Sequence, residues 1–580
     1  MTEFLKLKKS NCKNCYRCIW HCPVKSIRFS GNQAHIINDE CILCGQCFVE
    51  CPQNAKQIVD ETEIVEVLLK DDAPVIASVA PSFAAYFDGI GIGGLRKALQ
   101  EIGFTDAEET ALGAAMVTRE YERLVRNATQ DVLLTSCCHT INLLVEKYYP
   151  QLAGCLAPVV TPMQAHCDDI KRRYPNARTV FIGPCLSKKD EAYNVGIDAA
   201  LTFDELAEML KSFNVELTPD LDSREDSKER FYPTTGGILK SLLEENEEYT
   251  YMAVDGIENC KGVLNDIAEG NIHRCFIEMS SCVGSCVGGP IMEKYHNNMS
   301  FPEGLTTDNW CILSKHHNTP LRYYQSVAKY AGKKPFDVEQ PAENLLFAEH
   351  NPVGVNVEDP TDQEINAILR KMGKYKPSDE LNCGSCGYDS CRAKAVAIYR
   401  GKAEMDMCMP YLMEKSERFS NNVIDSAPVG ILVVNSALEV QLINPQAMKI
   451  LNISSRSDVM GEPLVRILDP IDFINVRNSG ESIHDQRDYY AEFDKFLEMS
   501  IVQEKFSENL IAQFRDVTKE EKDLQKQKIL GQQTIETADN VVDKQMRIVQ
   551  EIASLLGETA AETKIALTKL KEAIPHEEED

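Results

Sequence analysis

The sequence predicts a multidomain chain of mixed α/β and α+β class. Three observations predict it. Short apolar runs alternate with amphipathic stretches from Pro74 to about residue 350, as an α/β domain requires. The 22 cysteines are gathered in spaced groups on either side of that region and in loops within it, and none follows Cys408. Beyond residue 418 come short strand-like segments and then a proline-free stretch over 519–574, which read as a small α+β domain and a helical tail. The segments divide as 1–60, 61–350, 351–417, 418–518 and 519–580.

A chain of 580 residues holds roughly three to five domains. A hydrophobic fraction of 43% allows a sizeable core. The formal charge of -28 argues against nucleic acid, which needs clustered Lys and Arg, and reads as solubility or an acidic face for a basic partner. Met1–Ser10 is lysine-rich with no apolar stretch behind it, so no signal peptide is expected. No run reaches about 18 apolar residues, so no membrane span is expected either. A cytoplasmic setting follows as the expectation. Dense cysteines in an unsecreted chain point to metal rather than disulfides.

Residues 12–52 carry a duplication. Cys12, Cys15, Cys18 and Cys22-Pro23 repeat the spacing of Cys41, Cys44, Cys47 and Cys51-Pro52. In this bacterial ferredoxin run the fourth cysteine ligates the other cluster. Cys12, Cys15, Cys18 and Cys51 are therefore assigned to one 4Fe–4S cluster, and Cys41, Cys44, Cys47 and Cys22 to a second. Zinc would ask for paired two-by-two knuckles instead.

Residues 61–72 read as a connecting helix, and Pro74–Val79 as a strand ending at Ala80-Pro81-Ser82. Helices are expected around Gly94–Ile102 and Thr202–Phe213, and a charged surface loop over Asp220–Glu229. Thr234-Thr235-Gly236-Gly237 is a close-approach turn or a plain helix cap. Three cysteine loops follow apolar runs: Cys137-Cys138 after Val132–Leu134, Cys185 after Val180–Ile182, and Cys282 with Cys286 after Cys275–Ile277. The runs read as buried parallel strands of one open sheet, whose carboxyl edge is where a ligand site lies. Cys155, Cys167, Cys260, Cys275 and Cys311 belong to no motif and read as core or loop residues.

Past a linker near residue 350, Cys383, Cys386 and Cys391 are completed by Cys408-Met409-Pro410, which suggests a further 4Fe–4S cluster. The order of segments over 418–518, closing on Asp516-Val517-Thr518, resembles a PAS domain. Its lone His484 reads as a loop residue rather than a haem ligand. In the tail, Ile535, Val542, Val549, Leu556 and Leu570 fall on a seven-residue repeat interrupted by Thr563, with Ala538, Ile552 and Ala566 alongside, so a helical hairpin or a coiled-coil homodimer is expected.

The three thiol loops resemble the hydrogen-activating α/β domain of iron-only (FeFe) hydrogenases, with its TSCCP, PCxxK and ExMxCxGGCxGG motifs. The resemblance covers about residues 75–350, and with the ferredoxin-like front and PAS module the whole chain resembles the sensory branch. It implies that Cys138, Cys185, Cys282 and Cys286 hold a 4Fe–4S cubane, with Cys286 bridging to a diiron subsite bearing CO, cyanide and azadithiolate. Together these form the H-cluster, served by three further 4Fe–4S clusters. It also implies that Cys137 relays the proton, aided by an ordinary thiol pKa of about 8.5. Lys188 would hydrogen-bond a cyanide, and Ala80, Pro81 and Ser82 would lie near the distal one. The implied reaction is reversible H2 = 2 H+ + 2 e-.

The chain departs from the motifs in places. His139 replaces the proline after the cysteine pair, and Gly183 and Ser280 replace the methionines flanking the diiron site, which should leave it roomier and more polar. Gly284-Ser285 stands where the family has Gly-Gly. Glu120 falls near a proton-path position but not on it, and Glu278 is an alternative acid. Slow turnover used for sensing H2 or redox state is expected. The partners would then be H2 and protons, a ferredoxin-like redox protein, hydrogenase maturases, and a kinase or phosphatase downstream. An iron–sulfur assembly factor or a plain electron-transfer protein, both without a diiron site, are the rival readings.

Overall fold

The computed structural model describes residues 4–87, 89–219, 227–292, 319–355, 358–504 and 507–572. Cys311, most of the loop expected from Asp220, and the acidic tail lie outside the described residues. The chain divides into two compact units, Met1–Leu412 and Met413–Asp580.

The first unit opens with two small antiparallel pairs, β1 (Leu5–Leu7) with β4 (Lys56–Ile58) and β2 (Ile27–Ser30) with β3 (Gln33–Ile36). Each cysteine repeat turns into a four-residue helix, Arg17–Trp20 or Gln46–Val49, through a left-handed residue, Tyr16 in one and Gly45 in the other. The two are not interchangeable. A Cβ on Gly45 would stand 2.6 Å from Pro290, so this half of the duplication is shaped by its contact with the α/β domain.

That domain contains two parallel sheets where the sequence suggests one. The first has the order β6 (Asp106–Glu109), β5 (Val75–Val79), β8 (Arg178–Gly183), β9 (Ala199–Thr202). The second has the order β10 (Thr250–Asp255), β11 (Cys275–Ser280), β7 (Val132–Leu134). Every residue of β5, β7, β9 and β11 is buried, as expected of strands covered on both faces. Separate cores explain why two sheets form. Leu95, Phe83 and Leu206 pack with the first, while Ile141, Leu144 and Leu264 pack with the second. Apolar runs alone do not say which strands share a sheet.

Helix Ala111–Asn127 lies close against helix Pro162–Arg173. Gly113 permits it, because a Cβ there would sit 2.2 Å from the Pro162 carbonyl oxygen and 2.8 Å from His166 Cβ. Gly236 has a φ of +72° and Gly237 abuts the Phe231 carbonyl, so the Thr234–Gly237 turn is both a helix cap and a close approach.

The cysteine segment after residue 350 folds around two helices, Asp362–Lys371 and Cys391–Tyr399. A capping box of Thr361 and Glu364 starts the first. The segment packs on the N-terminal domain: Gly384 rests on the Trp20 ring, and Phe29 N donates to Lys402 O at 2.8 Å. Helix Met409–Ser426 begins at the residue after Cys408.

The second unit is a five-stranded antiparallel sheet of order β13 (Val440–Ile443), β12 (Gly430–Val434), β16 (Leu510–Asp516), β15 (Lys495–Gln503), β14 (Ile483–Tyr490). Alternating burial along β12, β15 and β16 gives it one apolar face, closed by Phe473, Leu464 and Ile450. Strand β14 is not visible in the sequence, because its Ile-His-Asp-Gln-Arg-Asp-Tyr-Tyr lies on an edge with almost every side chain in solvent. His484 is an exposed strand residue there, not a loop residue. The tail is one helix, Thr518–Glu572, rather than a hairpin. Gly531 and Gly557 stand alone within it, without the cluster of breakers a turn needs.

Candidate metal centre

The described cysteines are all free thiols. In the N-terminal domain they line two separate cavities. One is bordered by Cys12, Cys15, Cys18 and Cys51, the other by Cys22, Cys41, Cys44 and Cys47. Each cavity thus gathers three cysteines from one repeat and the fourth from the other. The second faces the α/β domain, where Lys147 Nζ donates to Cys41 O at 2.8 Å and Ile42 enters the core around β7 and β11.

Cys386 and the third-segment residue Tyr388 pack in one core with Cys22 and Ile19, and Cys408 is buried as well. Cys383 is exposed and Cys391 partly so. Lys394, almost wholly buried, lies near Cys386, Cys408 and Cys391, and burial lowers its pKa.

The three thiol loops of the α/β domain come together around one cavity of about 120 Å³. Cys137 and Cys138 follow β7, Cys185 follows β8, and Cys286 lies beyond β11, so both sheets contribute. Cys282 is absent from the lining but lies beside the group: Ser281 Oγ is 3.7 Å from both its Sγ and that of Cys138. Burial pushes Cys185 and Cys282 up, and the neighbouring thiols push the same way. Such a cluster of reluctant thiolates suits a cation that replaces the protons.

The donor set fits an iron–sulfur group rather than a lone ion. Among the described residues, no three His, Cys, Asp or Glu side chains gather tightly enough to hold one metal ion. A cubane takes each thiolate at a different iron, so its four cysteines stand apart. The cavity also holds an orphan: Ser82 Oγ is fully buried and has no hydrogen-bond partner among the described residues. A buried hydroxyl left so is costly unless a ligand meets it.

Other candidates fall as follows. Ala80, Pro81, Ser82, Lys188, Glu278 and Ser280 all line the cavity. Lys188 Nζ donates to Cys137 O at 3.1 Å and to Glu191 Oε2 at 2.5 Å. Burial lowers its pKa, but Glu191 outweighs that and holds it up, so the lysine is a fixed cation. His139 also lines the cavity, and its Nε2 lies 2.9 Å from Asp190. Gly183 is a correction, for it does not border the cavity. The Phe181 ring occupies the space a side chain would need, 2.7 Å from an added Cβ, and Phe181 itself lines the wall. With Met163 there too, the site is less roomy than Gly183 suggests.

Cys137 does not have an ordinary thiol pKa. Burial pushes it up to about 12 against the pull of a hydrogen bond from Tyr121. The Tyr121 hydroxyl stands 3.2 Å from Cys137 Sγ and 3.1 Å from Ser136 Oγ, which donates to Val159 O at 2.6 Å. Tyr121 lies directly after Glu120, which turns away to pair with Arg123 at 2.5 Å. Nothing in the sequence marks Tyr121, since its helical spacing is that of a core aromatic.

Glu278 accepts from Ile238 N at 3.0 Å and Leu239 N at 3.1 Å, yet burial raises its pKa to about 7. A carboxyl raised in the folded state binds more protons there than in the unfolded chain. Its contribution to stability is therefore lost as pH rises from the unfolded value near 4.5 through about 7. Glu278→Gln should flatten that decline. Urea unfolding at pH 5 and pH 8 measures it, and equal slopes for both proteins would refute it.

Thiols from two parallel sheets meet on one cavity beside a domain with two further cysteine-lined cavities, an arrangement that suits an iron–sulfur protein. Residues 73–290 match the family described as iron only hydrogenase large subunit, C-terminal domain. Residues 4–63 match a 4Fe-4S dicluster domain, and residues 379–410 a family described as a putative Fe-S cluster. The α/β domain is thus similar to the C-terminal domain of iron only hydrogenase large subunits.

Among solved structures, a variant of the FeFe-hydrogenase HydA1 from Chlamydomonas reinhardtii is 15% identical, covering 51% of this chain and 100% of its own with a TM-score of 0.38. The PAS domain of nitrogen regulation protein NR(II) from Vibrio parahaemolyticus is 17% identical, covering 17% of this chain and 96% of its own with a TM-score of 0.15. The PAS domain of an HTR-like protein from Haloarcula marismortui is 19% identical, covering 18% and 95% with a TM-score of 0.15. No curated protein matches. Among the described residues no helix is long and apolar enough to cross a membrane.

Proposed function

We propose that the protein is an FeFe hydrogenase of low turnover that senses H2 or redox state through reversible H2 = 2 H+ + 2 e-. The observation that supports this most is the convergence of Cys138, Cys185 and Cys286, with Cys282 beside them, on the cavity that also holds Cys137, Lys188 and Ser82. In this reading Cys138, Cys185, Cys282 and Cys286 would hold the cubane, with the diiron unit beside it on the Cys286 side. When bound, the group supplies the metal, the internal base and the first electron acceptor. The chain's own residues do the rest. Lys188, clamped by Glu191, presents a fixed positive charge to the cavity. Ser82 offers a spare hydrogen bond. Cys137 carries the proton at its Sγ.

The cysteine cavities of the N-terminal domain would hold the clusters that pass electrons to a ferredoxin-like partner, with Cys22, Cys41, Cys44 and Cys47 holding the one that faces the α/β domain. Maturases would build the diiron unit. The rival readings, an assembly factor or an electron-transfer protein, have no use for a buried cation and an orphan hydroxyl beside the thiols. Infrared spectroscopy separates them after maturation or loading with a synthetic diiron complex. CO and cyanide stretches are expected, and their absence from fully loaded protein would sink the reading.

Signal output is assigned to the second unit. Val542, Val549, Leu556 and Leu570 are each more than half exposed along helix Thr518–Glu572, which makes an apolar face of a kind that needs a partner. A second copy of the same helix fits it, with a kinase or phosphatase reading the result. Light scattering should give a dimer, and V549K with L556K a monomer. A monomeric wild-type protein would rule this out.

A further inference from the structure

Hydrogen-bonded chains leave the cavity in several directions, and most stop inside the protein. From Cys137 the chain runs through Tyr121 and Ser136 to the carbonyl of Val159, which is buried. Glu278 ends on the backbone N–H groups of Ile238 and Leu239. From Lys188 the chain reaches Glu191, but His139 Nδ1 is 4.0 Å from that carboxylate, too far for a hydrogen bond. Each lacks an outlet.

His139 also lines the cavity and meets the partly exposed Asp190 at 2.9 Å, a single contact to the near surface; a longer chain runs unbroken to a second cavity. Thr110 lines the cavity, and its Oγ1 is 2.8 Å from Ser78 Oγ. Ser78 Oγ is 2.8 Å from His166 Nδ1, and His166 Nε2 is 3.1 Å from Glu108 Oε2. Glu108 lines a second cavity, of about 610 Å³, that opens to solvent among Arg96, Asp169, Arg172 and Arg173. Ser78 and His166 are wholly buried, so no water competes for these contacts. Four side chains, from β5, β6, the N-cap of helix Ala111–Asn127 and helix Pro162–Arg173, thus join the inner cavity to the outer one.

We propose that Thr110, Ser78, His166 and Glu108 form a proton relay between the candidate metal centre and solvent, an inference that rests on the hydrogenase reading above. The Glu108 carboxylate, held by Arg173, accepts from His166 Nε2–H and thereby leaves Nδ1 to accept from Ser78. Ser78 Oγ in turn accepts from the Thr110 hydroxyl. A proton leaving the inner cavity binds Thr110 Oγ1 as the Thr110 proton passes to Ser78. The Ser78 proton passes to Nδ1, and the Nε2 proton passes to Glu108 and on to water in the outer cavity. One proton crosses, no electron moves, and rotation of both hydroxyls and the ring restores the start. The same steps reversed admit a proton.

The test uses the full chain loaded with the synthetic diiron complex. Thr110→Val keeps the shape of the side chain and removes the hydroxyl, Thr110→Ser keeps the hydroxyl, and His166→Gln breaks the middle of the chain. Infrared spectra of reduced protein are followed in time after a pH jump, alongside H2 turnover. The band shifts should slow at least tenfold in T110V and H166Q and stay at the wild-type rate in T110S, with resting band positions unchanged in all three. Should H166Q fail to fold, T110V against T110S decides alone. Wild-type rates in T110V would overturn the relay while leaving the hydrogenase reading intact. Missing CO and cyanide bands in loaded wild-type protein would overturn both.

Discussion

Cys137→Ala should lower H2 turnover by about 10²–10⁴-fold, the range that a positioned acid–base group contributes. The argument is geometric. Cys137 is the one cavity thiol outside the proposed ligand set, and its carbonyl oxygen is tied to Lys188 while its Sγ faces Tyr121. Alanine removes the proposed proton carrier but leaves Cys138 and the backbone hydrogen bond in place. Electron paramagnetic resonance of the reduced clusters and the resting infrared bands should therefore be unchanged, while dye-linked H2 oxidation and proton reduction both fall. Turnover within threefold of wild type would mean that protons bypass the thiol. Thr110→Val in the same background then shows whether the two groups act in series or in parallel.

The largest loss of stability should follow Arg230→Met. Arg230 is 1% exposed and holds Glu109 through two bonds, Nε to Oε2 at 2.9 Å and Nη2 to Oε1 at 2.6 Å. Its guanidinium also lies 4.1 Å over the Tyr330 ring, and the Tyr330 hydroxyl donates to Glu109 at 2.8 Å. Methionine fills much of the space but strands a buried carboxylate, at a cost of about 3–5 kcal/mol. Adding Glu109→Gln should recover part of that, because no charge is then left unpaired. Guanidinium unfolding followed by circular dichroism measures both, on the transition of the first unit. A double variant no more stable than R230M would show that packing, not charge, dominates here.

Much of the site was legible because thiols are rare and their spacing is informative. The duplicated run at Cys12–Cys51 and the loops at Cys137, Cys185 and Cys282 all mark cavities. What stayed hidden depends on contacts between distant segments. That Phe181 fills the place beside Gly183 cannot be read from the gap left by a missing methionine. The split into two sheets depends on which buried strand pairs with which, and β5, β7 and β11 look alike as apolar runs. Ser78, Thr110, His166 and Glu108 come from four elements, and each alone is an ordinary polar residue in an apolar neighbourhood. A histidine on the inner face of helix Pro162–Arg173 was the one available hint. In the second unit the alternating strands β12, β15 and β16 are legible, while polar β14 is not, because an edge strand in water needs no apolar face.

The tail helix has a mechanical consequence. Its base is tied to the sheet: Phe496 N donates to Thr518 Oγ1 at 2.9 Å, and Arg487 pairs with Glu521 at 3.0 Å. From there 55 residues run on without a break. At 1.5 Å per residue that is a rod of about 80 Å. A tilt of roughly 5° at Thr518 sweeps the far end through about 7 Å, more than one helical turn of 5.4 Å. A strain in β15 that tilted the base in this way would move the far end sideways by more than half the width of a helix, enough to part it from whatever packs against it there.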